Sequence, residues 1–357
     1  MKLIDRYILK KFLGSFLFTV FIIVAIIVVI DVTEKTDKYS EAQLSTMQVI
    51  GYYMDFIPWI ANFITPLTVF IATVFVTARL AGHTEIIAIL SSGVSFKRML
   101  VPYLIGSILI ALVSFVLTGW IIPNSNKSRV AFEIEYLKSK FFFDKTNYHI
   151  QVAPNTYLYM RNYNNQSNTG YNFTLEKVEG TELTEKLSAS RIKWDDKKNK
   201  WTLSNWELMT LDGAKEELSD GRTMDTTLAI HPSEFENDYR SYDAMTINEL
   251  DEHIAKLRMR GASNVEVFEV EKYTRFTSPF AVLILTFMGV IVSSKKTRGG
   301  AGFQIALGFF LSFVYILFFI MSKSIAEAGG LPPALSVWFP NILFGGISLL
   351  MYKYVPR

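Results

Sequence analysis

The sequence predicts an α-helical membrane protein with six transmembrane helices, three on either side of an inserted, extracytoplasmic β-rich domain. Two observations carry this fold class. Of 357 residues, 50% are hydrophobic and 19% charged. The two kinds are segregated into apolar blocks of spanning length and one long polar block, where a single globular core would mix them. Lys and Arg in the short loops then fall mostly on one side, which orients the chain.

A spanning helix takes ~20 mostly apolar residues. Residues 12–30 carry no charge and form the first span. The basic preamble (Lys2, Arg6, Lys10, Lys11) is like that of a signal peptide. The apolar run exceeds the ~7–15 residues of such a segment, however, and no small-residue cleavage site follows. The helix is therefore expected to be retained. Residues 56–78 form the second span, with Pro58 and Pro66 predicting a bend. The third covers 99–122 and ends at Pro123. The fourth covers 276–294, the fifth lies within 299–322, and the sixth runs from about Leu335 to Tyr352. With the N-terminus inside, the inner segments hold twelve Lys and Arg, whereas the short outer loops hold only Lys35, Lys38 and Lys323. That imbalance places both termini in the cytosol and the polar block outside.

The polar block alternates apolar and polar residues over short runs between Tyr148 and Ile230, as in Tyr157-Leu158-Tyr159-Met160. This is the period of half-buried strands. Residues 195–200, between Trp194 and Trp201, predict a hairpin turn. After His231-Pro232 the period changes. Thr246 and Glu249 have capping-box spacing, Ile247, Leu250, Ile254 and Leu257 share one helical face, and Gly261 is placed to end the helix. The expected layout is residues 1–123 for three spans, 124–245 for the β domain, 246–272 for a connecting amphipathic helix and 273–357 for three more spans.

Several function classes are excluded. With no cysteine there are no disulfides or thiolate metal sites, and His83, His149, His231 and His253 are too scattered for a zinc site. No Gly-x-x-x-x-Gly-Lys-Ser/Thr loop, Gly-x-Ser-x-Gly elbow or His-Glu-x-x-His pair occurs. A net charge of +3 without a basic stripe interleaved with aromatics gives no footprint for nucleic acid. Gly299, Gly300 and Gly302 beside Lys296 and Arg298 fit a flexible turn between helices better than a phosphate site. The predicted spans lack charges, which argues against proton or sodium coupling within this chain. Asn62, Thr65 and Thr68 suit interhelical hydrogen bonds, with substrate contact as the lesser alternative.

The inner loop between Arg79 and Arg98 is the most informative segment. His83 or Thr84 can begin a short helix over about 83–93, Gly93 can end it, and Glu85 falls in its first turn, where a carboxylate suits the helix dipole. Such a helix is either a docking element for a cytosolic partner or an amphipathic connector with Glu85 as its cap. The residues alone leave both open.

Four features together resemble the LptF/LptG (YjgP/YjgQ) permease family of the lipopolysaccharide exporter: Asp5-Arg6-Tyr7-Ile8 before the first span, Glu85 and Gly93 in the inner loop, the three-plus-three layout, and the outer β domain. The resemblance covers essentially the whole chain and leans towards the G type through Pro332-Pro333 and the sixth helix. It implies that the outer domain is a β-jellyroll. It also implies pairing with a paralogous F- or G-type permease, docking on an LptB-like ATPase dimer through Glu85, and delivery of lipopolysaccharide to LptC-like and LptA-like periplasmic proteins. No cofactor is expected in this chain; ATP and magnesium belong to the partner ATPase. Where the G-type pattern has a lysine in the last turn of helix 1, this sequence has Asp31. Lys35, Lys38, Lys127 and Arg129 are the nearby candidates for a lipid head group, ordinary interface anchoring being the alternative. Phe310 and Phe313 are candidates for a gate or cavity wall on helix 5.

The expected function is thus a non-catalytic permease subunit in the bacterial inner membrane. It would extract lipopolysaccharide, or a related glycolipid, from the outer leaflet. The alternative from another class is a membrane-anchored envelope scaffold whose outer domain binds protein or polymer. An envelope enzyme using Asp195, Asp196 or Glu207 is disfavoured, because the first two sit in a charged turn.

Overall fold

The computed structural model describes residues 3–137, 147–180, 182–212, 215–228, 230–232, 241–259, 265–294 and 300–353. Gly261 and the loop containing Lys296, Arg298 and Gly299 lie outside them. The chain divides into a helical unit (Met1–Leu137, Ser241–Asp251, Glu266–Arg357) and a second unit (Lys138–Arg240, Glu252–Val265).

In the helical unit, α1 (Leu3–Glu41) is uninterrupted over 39 residues. It continues three turns beyond the apolar run because nothing in residues 31–41 breaks a helix. Asp31 and Lys35 pair one turn apart, and the Thr33 and Thr36 hydroxyls donate back to carbonyls four residues earlier. Asp31 is therefore not in the last turn of helix 1; Lys38 is. A capping box of Ser45 and Gln48 starts α2 (Thr46–Phe63). The predicted bend occurs at Ile64, between α2 and α3 (Thr65–Gly82). Pro66 lies in the first turn of α3, where its missing N–H is tolerated. After α4 (Glu85–Ser91) comes α5 (Phe96–Val116). It does not stop at Pro123 as expected. A wide π turn (Leu117–Ile121) carries it into α6 (Ile122–Phe132), and a second (Glu133–Leu137) extends it further. Pro123 is again in a first turn, so it does not terminate the helix.

A short 3-10 turn (Ser241–Ala244) precedes α7 (Ile247–Met259). The predicted capping box is formed: the Thr246 N–H donates to Glu249 Oε2 at 2.7 Å, and the Glu249 N–H donates to Thr246 Oγ1 at 3.3 Å. Then follow α8 (Val265–Ser293), α9 (Gly300–Glu327) and α10 (Pro333–Tyr352). Among the described residues, six helices are long and apolar enough to cross a membrane: α1, α3, the joined α5–α6, α8, α9 and α10.

The centre of this unit is α3. Of its apolar window 67% is buried, against 6% for α1 and 17% for α9. Phe70 and Val74 of α3 pack with Leu285 and Met288 of α8, Tyr315 of α9 and Phe344 of α10. Val69 and Val76 lie in the cluster with Ile8 and Phe12 of α1 and Tyr103 of α5. A Cβ on Gly106 would lie 2.7 Å from the Phe12 ring, so α1 and α5 meet closely only because position 106 lacks one. Asn62 donates to Thr118 Oγ1 and accepts from Ser114, joining α2 to the α5 end as interhelical hydrogen bonds.

The second unit holds an open, jellyroll-like antiparallel sheet of six strands in the order β1-β2-β3-β4-β5-β6: β1 (Tyr148–Ala153), β2 (Thr156–Asn164), β3 (Thr169–Glu179), β4 (Glu182–Asp195), β5 (Lys200–Asp212) and β6 (Lys215–Thr226). The predicted hairpin joins β4 to β5. Asp195 pairs with Lys200, the Asp195 carboxylate accepts from the Lys197 N–H, and Asn199 takes a left-handed φ of 51°.

A crease crosses the sheet. In β3, Phe173 and Leu175 are buried, but the next buried residue is Gly170. In β4, Leu187 and Ala189 are followed by Ile192, and in β2, Leu158 and Met160 by Tyr163. Each strand from β2 to β6 has one residue that the ladder skips at this crease: Arg161, Asn172, Ser190, Asn205 and Arg222. Asn172 and Asn205 have φ of 51° and 50°. A left-handed residue shifts the alternation by one position, and asparagine adopts that conformation more readily than most side chains.

Candidate functional site

The expected site residues fall in two places along α1. Lys11 and Lys35 are 24 residues apart, about 36 Å at 1.5 Å per residue. That exceeds the ~30 Å hydrocarbon thickness of a bilayer, so α1 is long enough to separate the two clusters by a membrane's thickness.

At the first, α4 begins at Thr84, whose backbone is left-handed at φ 60°. Glu85 follows in the first turn. Tyr7 of α1 donates its hydroxyl to Glu85 Oε2 at 2.8 Å, and the Lys11 ammonium stands 3.6 Å from Oε1. Lys11 also donates to the Tyr7 hydroxyl and lies 4.1 Å from its ring centre. One turn away, Asp5 is buried against the guanidinium of Arg98 at 2.5 Å. Ile86 is anchored in the core with Ile8, while Ile87 is 53% exposed on the other side of the short helix. Gly93, at φ +85°, turns the chain after α4, and the Ser95 hydroxyl then caps α5. The tetrapeptide Asp5-Arg6-Tyr7-Ile8 and the Glu85 loop, far apart in sequence, are thus one structural feature.

At the second, the four head-group candidates differ. Lys35 binds Asp31 and the Tyr52 hydroxyl, each at 2.8 Å. Lys38 donates to the Leu137 carbonyl at 3.1 Å. Lys127 forms an exposed pair with Glu249 at 3.1 Å. Arg129 is placed differently from the three lysines. Its side chain is fully buried, bound to Glu133 at 2.7 Å, to Asp243 at 3.3 Å and to Asn126, and packed over Trp59. Its charge is balanced inside the protein, and no face is left for a lipid. Around these residues runs a chain of hydrogen bonds that composition did not reveal: Tyr39 to Tyr53, Tyr53 to Asp31, Lys35 to Tyr52, Tyr52 to Glu133. Of these contacts, only the pairs Asp31–Lys35 and Arg129–Glu133 have the one-turn spacing that a sequence displays.

The predicted segments are free of charge, but the helices that contain them are not: α3 has Arg79 in its last turn. Beyond those segments α8 and α9 carry Glu271, bound by Arg275 at 3.1 Å and Lys323 at 3.4 Å, with Arg275 also donating to the carbonyls of Met245 and Tyr242. Phe310 and Phe313 on α9 are 62% and 58% exposed. They are not packed together with the two polar clusters, and lie on a surface open to lipid or to another apolar partner.

Residues 6–354 match the model of the lipopolysaccharide export system permease LptF/LptG. The chain belongs to the LptF/LptG family. Among relatives, it is 17% identical to the lipopolysaccharide export system permease protein LptG of Escherichia coli (strain K12), over 97% of this chain and 96% of that one. It is 24% identical to an uncharacterized protein of Aquifex aeolicus (strain VF5), over 96% and 95% of the two chains. The six helices and the inserted sheet are the architecture of the LptF/LptG family, and the chain is a lipopolysaccharide export permease of the inner membrane.

Proposed function

We propose that this LptF/LptG permease is the membrane half of an ATP-driven extractor. It draws lipopolysaccharide, or a related glycolipid, from the outer leaflet and delivers it to a periplasmic β-sheet bridge. The two termini and α4 are cytosolic in this reading, and the sheet is periplasmic. An LptB-like ATPase docks at α4, a paralogous permease completes the cavity, and LptC-like and LptA-like proteins receive the lipid. The observation that carries the proposal is the spacing of the Glu85 cluster and the Lys35 cluster along one continuous helix, α1, by about 36 Å, enough to set them at the two ends of a membrane span.

Energetics constrain the route. Moving acyl chains into water costs ~0.8 kcal/mol per CH₂, so a multi-chain lipid costs tens of kcal/mol. No conformational change supplies that in one step, and the lipid has to pass from one apolar surface to the next. The sheet offers such a surface: Leu158, Met160, Phe173, Leu187 and Leu203 lie on one face, and the strands alternate with polar residues on the other. At the Lys35 end, the ammonium of Lys38 has only a carbonyl partner among the described residues, and Lys35 and Lys127 would exchange Asp31 and Glu249 for the phosphates of a head group. At the other end, the exposed Ile87 and the Glu85 carboxylate supply a docking edge and an anchor.

The test is photocrosslinking in reconstituted membranes, with the crosslinker at Leu187 on the apolar face or at Lys193 on the polar face. Under ATP-driven transport, lipid adducts are expected at position 187 and not at 193. Equal labelling at both positions, or none at 187, overturns the lipid route. Failure of a cytosolic ATPase to co-purify overturns the energy source.

A further inference from the structure

The polar face of the sheet has a feature that acyl-chain transfer does not use. A groove of about 310 Å³ crosses strands β2 to β5 there. Ligand pockets begin at about this size. One wall is the ladder row Tyr159, Thr174, Ser188 and Glu207, each paired to the next. The other wall is the crease, represented by Asn172, Ser190 and Asn205. Phe173 and Ala189, whose side chains belong to the opposite core, form the floor between them. The left-handed turns at Asn172 and Asn205 bring two consecutive residues of a strand to the polar face, which opens the groove.

Its chemistry is selective. The side chains of Asn172, Thr174, Ser188, Asn205 and Glu207 make no hydrogen bond or ion pair among the described residues. Ser190 donates only to the Ser204 carbonyl. One end is aromatic, since Tyr159 packs against His149 with ring centres 4.6 Å apart and its hydroxyl is held by Asn147. The other end is the Glu207 carboxylate. The lining contains no Lys or Arg, which disfavours a phosphate or nucleotide. The four strands are interior to the sheet, so no edge is free to add a peptide strand. A lone carboxylate does not make a metal site.

We propose that this groove binds a saccharide. A pyranose presents apolar C–H faces and a rim of hydroxyls that both donate and accept. It would place a C–H face on Tyr159, exchange hydrogen bonds with the amides of Asn172 and Asn205 and the hydroxyls of Thr174 and Ser188, and donate a hydroxyl proton to Glu207. Both the sugar portion of the exported lipid and a separate envelope glycan share this chemistry. The site depends on the sheet's polar face alone, and stands whether or not the apolar face carries lipid.

The experiment is saturation-transfer NMR and calorimetry on the full chain in detergent. One probe is lipid-free core oligosaccharide released from lipopolysaccharide; the other is a disaccharide from peptidoglycan. Saturable binding of either probe is expected, weakened about tenfold or more by Glu207→Gln and by Tyr159→Ala, because the first takes the charge from a hydrogen-bond acceptor and the second removes the aromatic contact. Lys193→Ala, on the same face but outside the groove, should bind as the parent does. All three are surface changes, and an unaltered thermal unfolding curve establishes that each variant folds. Preference between the probes identifies the source. Absence of saturable binding to both, or binding indifferent to Glu207→Gln and Tyr159→Ala, overturns the proposal without touching lipid transfer, which the crosslinks on the apolar face report separately.

Discussion

The Tyr7 hydroxyl donates to Glu85 Oε2 at 2.8 Å, tying the first turns of α1 to the first turn of α4, 78 residues later. A push on α4 is therefore a push on the end of a 39-residue helix long enough to cross a membrane. In the proposed function, Glu85→Ala should abolish or strongly reduce recruitment of the ATPase, and lipid export with it. Tyr7→Phe removes one hydrogen bond to a charged group, typically ~1.5–3 kcal/mol, but leaves the carboxylate in place. It should retain the ATPase while releasing less lipid per ATP hydrolysed. Co-purification and a lipid-release assay check both; undiminished recruitment and export by Glu85→Ala removes the docking role.

Arg129 and Lys127 are two residues apart and opposite in energetic weight. Arg129→Met leaves Glu133 and Asp243 without their buried partner, which should cost roughly 3–5 kcal/mol. The exposed pair of Lys127 with Glu249 contributes at most about 1 kcal/mol, so Lys127→Ala should scarcely move the unfolding midpoint. Thermal unfolding in detergent distinguishes the two. If Lys127 has the proposed role near the head group, its variant loses export while keeping its stability, the reverse of a structural residue.

The crease makes a backbone prediction. Asn172→Val and Asn205→Val put a β-branched side chain at φ near 50°, which should cost about 1–2 kcal/mol each. Asn172→Gly should be close to neutral, because glycine takes positive φ without strain. Trp194, Trp201 and Trp206 all lie in the sheet, so denaturant curves followed by tryptophan fluorescence check the ranking.

Much of the fold was legible in the sequence because apolar length and strand alternation are local properties. The positions of five of the six spans, the hairpin at 195–200 and the Thr246–Glu249 capping box needed only neighbours within a few residues. The second span was harder. Its break at Ile64 could be foreseen from Pro66, but the way it divides into α2 and α3 could not. The continuation past Pro123 was missed because proline was taken as a stop, while in a first turn it is compatible with helix. In the inner loop, the place of Glu85 in a first turn and the turn at Gly93 were legible from neighbouring residues. The roles of Tyr7, Asp5 and Arg129 were not, since their partners Glu85, Arg98 and Asp243 lie 78 to 114 residues away. The crease was invisible for another reason: its strands alternate on both sides of it, and the phase changes at single residues, of which only Asn172 and Asn205 are left-handed.

The α7 capping box gives a pH dependence whose sign is fixed by Glu249. Its pKa lies below the ordinary glutamate value of 4.5, first because its carboxylate accepts the Thr246 N–H, then because Lys127 is beside it. A carboxyl whose folded pKa is depressed contributes its stability in full above the unfolded value and loses it as pH falls through the folded one. The first turn of α7 should therefore be evenly protected from neutral pH down to about pH 5, and fray below 4.5. A carboxylate at a helix N-terminus contributes about 0.3–1 kcal/mol, so amide protection of Glu249 and Leu250, normalised to the intrinsic exchange rate, should fall roughly two- to fivefold. Glu249→Gln still accepts the Thr246 N–H but carries no charge, and should lose the acid step. Lys127→Ala removes only the second cause and should move the midpoint part of the way towards 4.5. An acid step that survives in Glu249→Gln would assign the titration to another group.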